Sequence, residues 1–247
     1  MKSFLRWLGL AVLAFAVLQL YFVARIAAMA VIDPQSTAFQ RSEAWRVVND
    51  KGALPWRQQW VPYAQISNQL KRAVVASEDD GFSNHDGVDW DALEKAWQRN
   101  AKAEASAAQR VQAAAAKGKP MPRPAKVYGG STITQQLAKN LFLSGERTFL
   151  RKGQEFVLTM LLEALLSKER ILEIYLNSVE WGDGIFGAEA AAQHYFRKPA
   201  AKLQAYEAAH LAVMLPRPKY FEKLPNSSYV AGRASVIVGR MGDASLP

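Results

Sequence analysis

Apolar positions along this chain follow two patterns, one continuous and one periodic. From Trp7 to Ala24 the run is nearly unbroken, interrupted only by Gln19 and the small residues Gly9 and Ala11, and after Arg25 it resumes from Ile26 to Ile32. A helix of about 20 such residues crosses the hydrocarbon core of a bilayer, so the pattern predicts a transmembrane anchor. A cleaved signal peptide is the competing reading, and Ala28, Met29 and Ala30 resemble a cleavage site, but the apolar stretch is longer than an h-region requires. Lys2 and Arg6 flank the run on its N-terminal side and favour an N-in, C-out orientation; Arg25, Arg41 and Arg46 on the other side weaken that preference. The chain then divides into a cytoplasmic N-terminus at 1–6, an anchor at 7–32 and an exported domain at 33–247.

Beyond the anchor the apolar period becomes helical. Residues 33–62 carry Pro34, Pro55 and Pro62 with three tryptophans and read as an irregular lead-in. Ile66–Ala76 has apolar residues at 66, 70, 73 and 74, a helical face. A second helix runs from Asp89 to about Ala116, and Gly118–Lys126 then breaks it with three prolines. The stretch 101–126 holds six basic residues and one acidic, so it reads as an exposed helical extension and loop, an insert with a solvated face. Ser131–Leu143, Phe149–Leu166, Ile171–Ser178, Phe186–Phe196, Ala205–Leu215 and Ser228–Met241 keep the 3.6-residue spacing. No run of alternating strands and no internal repeat occurs. The predicted class is mostly α, with at most a short hairpin.

Composition narrows the chemistry. The 247 residues contain no Cys, which excludes disulfides, thiolate catalysis and Cys-based zinc sites, and His85, His194 and His210 do not fall in a zinc-ligand spacing. Lys plus Arg is 31 against 22 Asp plus Glu, a net charge of +9. Such a balance favours polyanions. In an exported domain those are lipid headgroups or a phosphate-bearing substrate, and no nucleic acid is expected.

Four segments carry candidate chemistry. Gly182, Gly184 and Gly187 match GxGxxG, but the residues before them have a helical period, so the segment reads as a turn between helices and not a dinucleotide loop. Glu78, Asp79, Asp80 and Asp86 crowd around His85 at the end of the 66–76 helix; carboxylates desolvated together raise a pKa, which prepares a general acid or base. A solvated, Asp-capped turn is the plainer reading. Gly129 and Gly130 precede Ser131 and a Thr132–Gln135 capping box, so a helix starts there with N–H groups suited to an anion. Thr132, Gln136, Lys139 and Asn140 share its polar face. Arg151 and Glu155 are i,i+4 neighbours beside Lys152, either a surface ion pair or a carboxylate set among phosphate-holding cations.

Glu78 to Gly87, Gly129 to Asn140, Arg151 to Glu155 and Ile171 to Asn177, in this order, closely resemble the four motifs of the family 51 peptidoglycan glycosyltransferases, in their monofunctional branch. The likeness runs from about Trp45 to about Arg240; the insert at 101–126 is a departure. The absence of SxxK and the end at Pro247 lead us to expect no transpeptidase domain. The resemblance implies a lysozyme-like glycosyltransferase domain with a membrane-proximal jaw. It implies a glycan polymerase in peptidoglycan synthesis, cell-wall biogenesis and cell shape. The lipid-linked nascent glycan would be transferred onto the GlcNAc 4-hydroxyl of lipid II, forming a β-1,4 bond with inversion and releasing undecaprenyl pyrophosphate. Glu78 would be the general base and Glu155 the second catalytic glutamate, near the donor pyrophosphate. Asp79, Phe82 and His85 would shape the acceptor side, and Ser131, Thr132, Gln135, Gln136, Lys139, Asn140, Arg151 and Lys152 would bind substrate, mainly on the donor side. A divalent cation (Mg or Mn) would assist at the pyrophosphate; no dedicated metal ligands are visible. Moenomycin-type inhibitors would occupy the donor side, cell-wall synthesis or division proteins are expected partners, and the location would be a bacterial inner membrane, single-pass, with a periplasmic catalytic domain. A lysozyme-like lytic glycosidase and a non-catalytic membrane scaffold are the alternatives.

Overall fold

The computed structural model describes residues 2–125, 129–146 and 148–247. It is mostly helical. Helix α1 (Lys2–Ala28) has 27 residues, about 40 Å at 1.5 Å per residue. It is long and apolar enough to cross a membrane, and within it only Phe22 and Ile26 are buried. Leu8, Leu13, Phe15 and Val17 all stand exposed, a surface that suits lipid and not water. Its C-terminal end docks on the rest of the protein. Phe22 meets Phe142 edge-on at 5.4 Å, the Gln19 and Gln154 amides pair, and Arg170 donates to the Met29 carbonyl at 2.7 Å.

The lead-in is not irregular. Helix α2 (Ala38–Lys51) occupies its middle. Thr37 and Gln40 form a reciprocal capping box at its start, and Gly52 ends it in the left-handed conformation. Only Gln40 and Val47 of this helix are buried, so it shows no apolar stripe to be read; its caps define it. Gln40 Nε2 reaches the Ser178 carbonyl at 3.3 Å and ties α2 to the rest of the domain.

The remaining predicted helices are present with small shifts: α3 (Asn68–Glu78), α4 (Trp90–Ala116), α5 (Ile133–Phe142), α6 (Phe149–Leu165), α7 (Lys168–Ser178), α8 (Ala188–Phe196), α9 (Ala205–Met214) and α11 (Ser228–Arg240), with a short α10 (Pro218–Phe221) between the last two. Helices α3 and α11 both pack on α9, which is buried from Ala208 to Met214. Helix α5 packs on α6, α7 and α2. Leu70, Ala73, Val74 and Val75 make α3 a core helix, and its last residue is Glu78. The core thus delivers that carboxylate at a rigid helix end. Asp89 caps α4 through the Ala92 N–H at 2.7 Å. The distal half of α4 is largely exposed, as expected for the insert; its last residue, Lys126, lies outside the described residues.

A three-stranded sheet also exists, in the order β1-β3-β2: β1 (Arg57–Gln58), β2 (Glu180–Gly182) and β3 (Ile185–Phe186). Strands β2 and β3 form the expected short hairpin, and β1 adds to β3 in parallel, Arg57 opposite Ile185. The GxGxxG segment is therefore a hairpin turn inserted between two helices, and Phe186 belongs to β3, not to α8. Gly184 has φ +82°, and a Cβ there would lie 2.2 Å from the Pro55 carbonyl oxygen. Gly184→Ala combines a strained φ with a backbone clash and should cost roughly 2–5 kcal/mol. Gly232 lies within α11 with open space around it, and Gly232→Ala should instead gain about 0.5–1 kcal/mol. Thermal unfolding of the two variants gives the comparison; equal midpoints would contradict this reading of the turn.

Asn177, the last residue of the ILEIYLN segment, stitches the chain entry to α7. Its Oδ1 accepts from the Val61 N–H at 2.9 Å, and its Nδ2 donates to the Val61 and Glu173 carbonyls, both at 2.9 Å. This fully buried amide replaces missing backbone partners for an extended segment.

Candidate active site

Two cavities flank the N-terminus of α5. One, of about 800 Å³, is lined by Ser131, Gln135, Gln136, Lys139, Asn140, Arg151, Lys152 and Glu155. The other, of about 300 Å³, is lined by Glu78, Asp79, Thr132, Lys95, Arg99 and Arg240 among others. Ser131 lines both.

Glu78 is partly buried at the C-terminus of α3. Gln136 Nε2 donates to its Oε2 at 3.1 Å. Burial pushes its pKa above the ordinary glutamate value and the charge of Asp79 adds to this, while the Gln136 hydrogen bond and the nearby Lys139 oppose it. A carboxylate poised upward but still stabilised in its charged form suits a proton acceptor.

The other residues of the first motif build the frame around Glu78. Asp79 is buried, and both its oxygens are used: Oδ1 pairs with His85 Nε2 at 2.9 Å, and Oδ2 accepts the Ile133 N–H at 2.9 Å. His85 Nδ1 accepts the Gly87 N–H at 3.1 Å, so Nε2 carries the ring proton and donates to Asp79. Thr132 caps α5 and donates to the Gly87 carbonyl at 2.6 Å. Phe82 is fully buried, with Lys168 Nζ 4.7 Å from its ring centroid, and it lines neither cavity. Lys168 in turn donates to the His85 carbonyl at 2.6 Å and to Glu163 at 2.9 Å.

The expectation of an anion-binding helix N-terminus is corrected by these contacts. The N–H groups of Thr132, Ile133 and Gln135 are spent on Gln135 Oε1, Asp79 Oδ2 and Thr132 Oγ1. The anion held at this terminus is the protein's own Asp79 carboxylate. Positive charge in the large cavity comes from side chains instead. Glu155 is 3% exposed and accepts from Arg151 Nη1 at 2.9 Å and from Lys152 Nζ. Arg151 lines this cavity, and its buried Nε–H has no partner among the described residues. Lys139 and Asn140 complete the polar face of α5 towards the same space.

The opposite wall of that cavity was not legible in the sequence. Glu43 of α2 and Glu180 of β2 both line it and share Lys219: Lys219 pairs with Glu43 and lies 3.4 Å from Glu180 Oε1. Carboxylate oxygens of Glu43, Glu180 and Asp183 lie within 4.8 Å of one another. Arg46 and Lys51 pair with Asp183, so the cluster's charge is matched and it reads as an ion-pair network. Burial raises the Glu180 pKa to about 7, with Lys219 opposing and Glu43 adding. Between the ordinary value and about 7 the folded state then holds a proton that the unfolded chain has lost, so stability falls as pH rises through that window. Glu180→Gln should flatten this, removing a loss on the order of 2–3 kcal/mol between pH 5 and pH 8. Unfolding free energies of both proteins at the two pH values test it; identical pH slopes would contradict it.

Comparison with known proteins agrees with the order of the motifs. The transglycosylase family profile matches residues 51–242. The chain belongs to the transglycosylase family. A Burkholderia thailandensis protein named biosynthetic peptidoglycan transglycosylase is 55% identical over 246 residues, covering 98% of this chain and 88% of the relative. A Burkholderia pseudomallei protein of the same name is 52% identical with the same coverage, and one from Paraburkholderia xenovorans is 49% identical over 98% of this chain and 94% of its own length. The family match takes in the smaller cavity, Glu78, Glu155 and the hairpin, and leaves out α1 and all of α2 but Lys51, so the Glu43 side of the larger cavity lies outside it. In this transglycosylase Glu78 ends α3, Glu155 lies in the second turn of α6, and α5 supplies Gln136, which touches Glu78.

Proposed function

We propose that the protein polymerises peptidoglycan glycan chains from lipid II, as a transglycosylase whose two cavities hold the two lipid-linked substrates. Support comes from one observation above the rest: Gln136 lines the large cationic cavity while touching Glu78, so the base sits where the two cavities approach each other. The acceptor's GlcNAc 4-hydroxyl gives its proton to Glu78 as its oxygen bonds to the donor's MurNAc C1. The C1–O bond to undecaprenyl pyrophosphate breaks, and the leaving group's charge is met by Arg151, Lys152 and Lys139. A positioned base contributes roughly 10²–10⁴-fold, and charge stabilisation at the leaving group is the larger kind of contribution. Attack from the side opposite the leaving group gives the β-1,4 bond with inversion.

Asp79, His85 and Phe82 act in this reading by fixing the loop that carries Glu78, on the acceptor side. Glu155 holds Arg151 and Lys152 in place against the pyrophosphate. A divalent ion at that pyrophosphate fits only as one bound mainly by phosphate oxygens and water, in the manner of Mg, because both Glu155 oxygens already take cations. The ion would supply Lewis-acid neutralisation of phosphate charge.

Helix α1 would place the enzyme in a bacterial inner membrane with the domain on the periplasmic side. Its exit packs against α6, and Phe149 and Leu150 at the start of α6 are 98% and 88% exposed, consistent with a jaw that touches lipid. Tethering confines enzyme and lipid-linked substrates to one surface. Moenomycin-type inhibitors would compete in the large cavity, and cell-wall synthesis or division proteins would recruit the enzyme.

The purified protein should convert lipid II to polymer and leave finished glycan strands intact. Cleavage of finished strands without polymer formation would favour the lytic alternative.

A further inference from the structure

Tyr175, on α7, is buried with 1% exposure, and its hydroxyl donates to Gln136 Oε1 at 3.1 Å. Gln136 Nε2 donates in turn to Glu78 Oε2 at 3.1 Å. A glutamine amide is almost the same shape in its two flipped orientations. Only one of them presents N–H to Glu78; the other presents a carbonyl oxygen, which repels a carboxylate and accepts from a carboxylic acid. The phenol decides between them. Its proton has no other acceptor among the hydrogen bonds of the described residues, and accepting it commits Gln136 Oε1 to the Tyr175 side. Burial and the charges of Glu78 and Asp79 hold the Tyr175 hydroxyl well above the ordinary tyrosine value, so it remains a donor.

We propose that Tyr175 is a positioning residue for Glu78: acting through Gln136, it anchors Glu78 Oε2 and leaves Oε1 to accept the proton of the attacking hydroxyl. This rests on the reading of Glu78 as the base. Other charges near Glu78 are Asp79 and Asp80 on its own segment, Lys139 on α5, Lys95 and Arg99 on α4, Asp89 at the α4 cap and Arg240 on α11, which pairs with Asp80. Tyr175→Phe alters none of them.

The test follows Glu78 ionisation directly, as the carboxylic acid band in infrared difference spectra of each background against its Glu78→Gln counterpart. Polymerisation of lipid II is followed in parallel across pH. In Tyr175→Phe, Gln136 is released to flip, and Glu78 titration should move up by about one pH unit, a tenfold change in its ionisation constant. The acidic limb of kcat should move with it, and KM should stay unchanged. In a Gln136→Ala background, adding Tyr175→Phe should produce no further movement. A rate loss in Tyr175→Phe with unmoved titration would overturn the proposal, as would an equal movement in the Gln136→Ala background. Gln136→Ala alone should raise Glu78 titration at least as far, and this holds even if Tyr175→Phe fails to fold; no movement there would also overturn it. A titration that moves as stated, with polymerisation surviving in Glu78→Gln, would sink the base assignment and leave the positioning contact standing.

Discussion

Glu78→Gln should abolish glycan polymerisation while leaving the protein folded. The substitution keeps shape and the ability to hydrogen-bond but removes the proton acceptor, so the loss should be at least the 10²–10⁴-fold that general base catalysis contributes. Folding should survive because Glu78 is the final residue of α3 and the core positions of that helix, Leu70 to Ala76, are untouched. The neutral amide also avoids the penalty of burying a charge that pushes the Glu78 pKa up. Rate, melting temperature and inhibitor affinity measured on one preparation separate the possibilities. A folded Glu78→Gln enzyme that polymerises near the wild-type rate would remove the base from this account.

Arg151→Ala carries the second large effect. It should weaken binding of a pyrophosphate-bearing inhibitor by about 1.5–3 kcal/mol, the scale of a hydrogen bond to a charged group. It should also lower stability, since Glu155 is 3% exposed and would keep only Lys152 as partner. Lys152→Ala should cost less stability. The Lys152 side chain is 53% exposed against 17% for Arg151, so solvent already screens its pair with Glu155. Inhibitor affinity and unfolding free energy for the two variants form the comparison. Unchanged affinity in Arg151→Ala would count against a donor role for the large cavity.

The sequence made helices legible where apolar residues recur at helical spacing. Helix α6 buries one stripe at Glu155, Leu158, Thr159 and Leu162, α3 and α7 are buried on most sides, and each was predicted within a few residues. Helix α2 escaped because its surface is polar on nearly all sides and only its caps mark it. Strand β1 escaped because two residues cannot show an alternation, and its partner lies 128 positions away at Ile185. The site divides in the same way. Glu78, Gln136, Arg151 and Glu155 were legible from local spacing and from the order of the motifs. The frame role of Asp79 and His85 was not, since spacing says nothing about which backbone N–H a carboxylate will meet 54 residues on. The Glu43–Lys219–Glu180 wall was likewise hidden, because 176 residues separate Glu43 from Lys219.

The central claim is that one site joins two lipid-linked substrates, with Glu78 as base and a cationic cavity holding the pyrophosphate. Its most direct measurement is the product balance of the full-length protein given purified lipid II alone. The account predicts one undecaprenyl pyrophosphate released for each disaccharide added, a product of β-1,4 linkage that lysozyme digests, and neither product in Glu78→Gln. Released pyrophosphate without polymer, or polymer formed at an undiminished rate by Glu78→Gln, would contradict it.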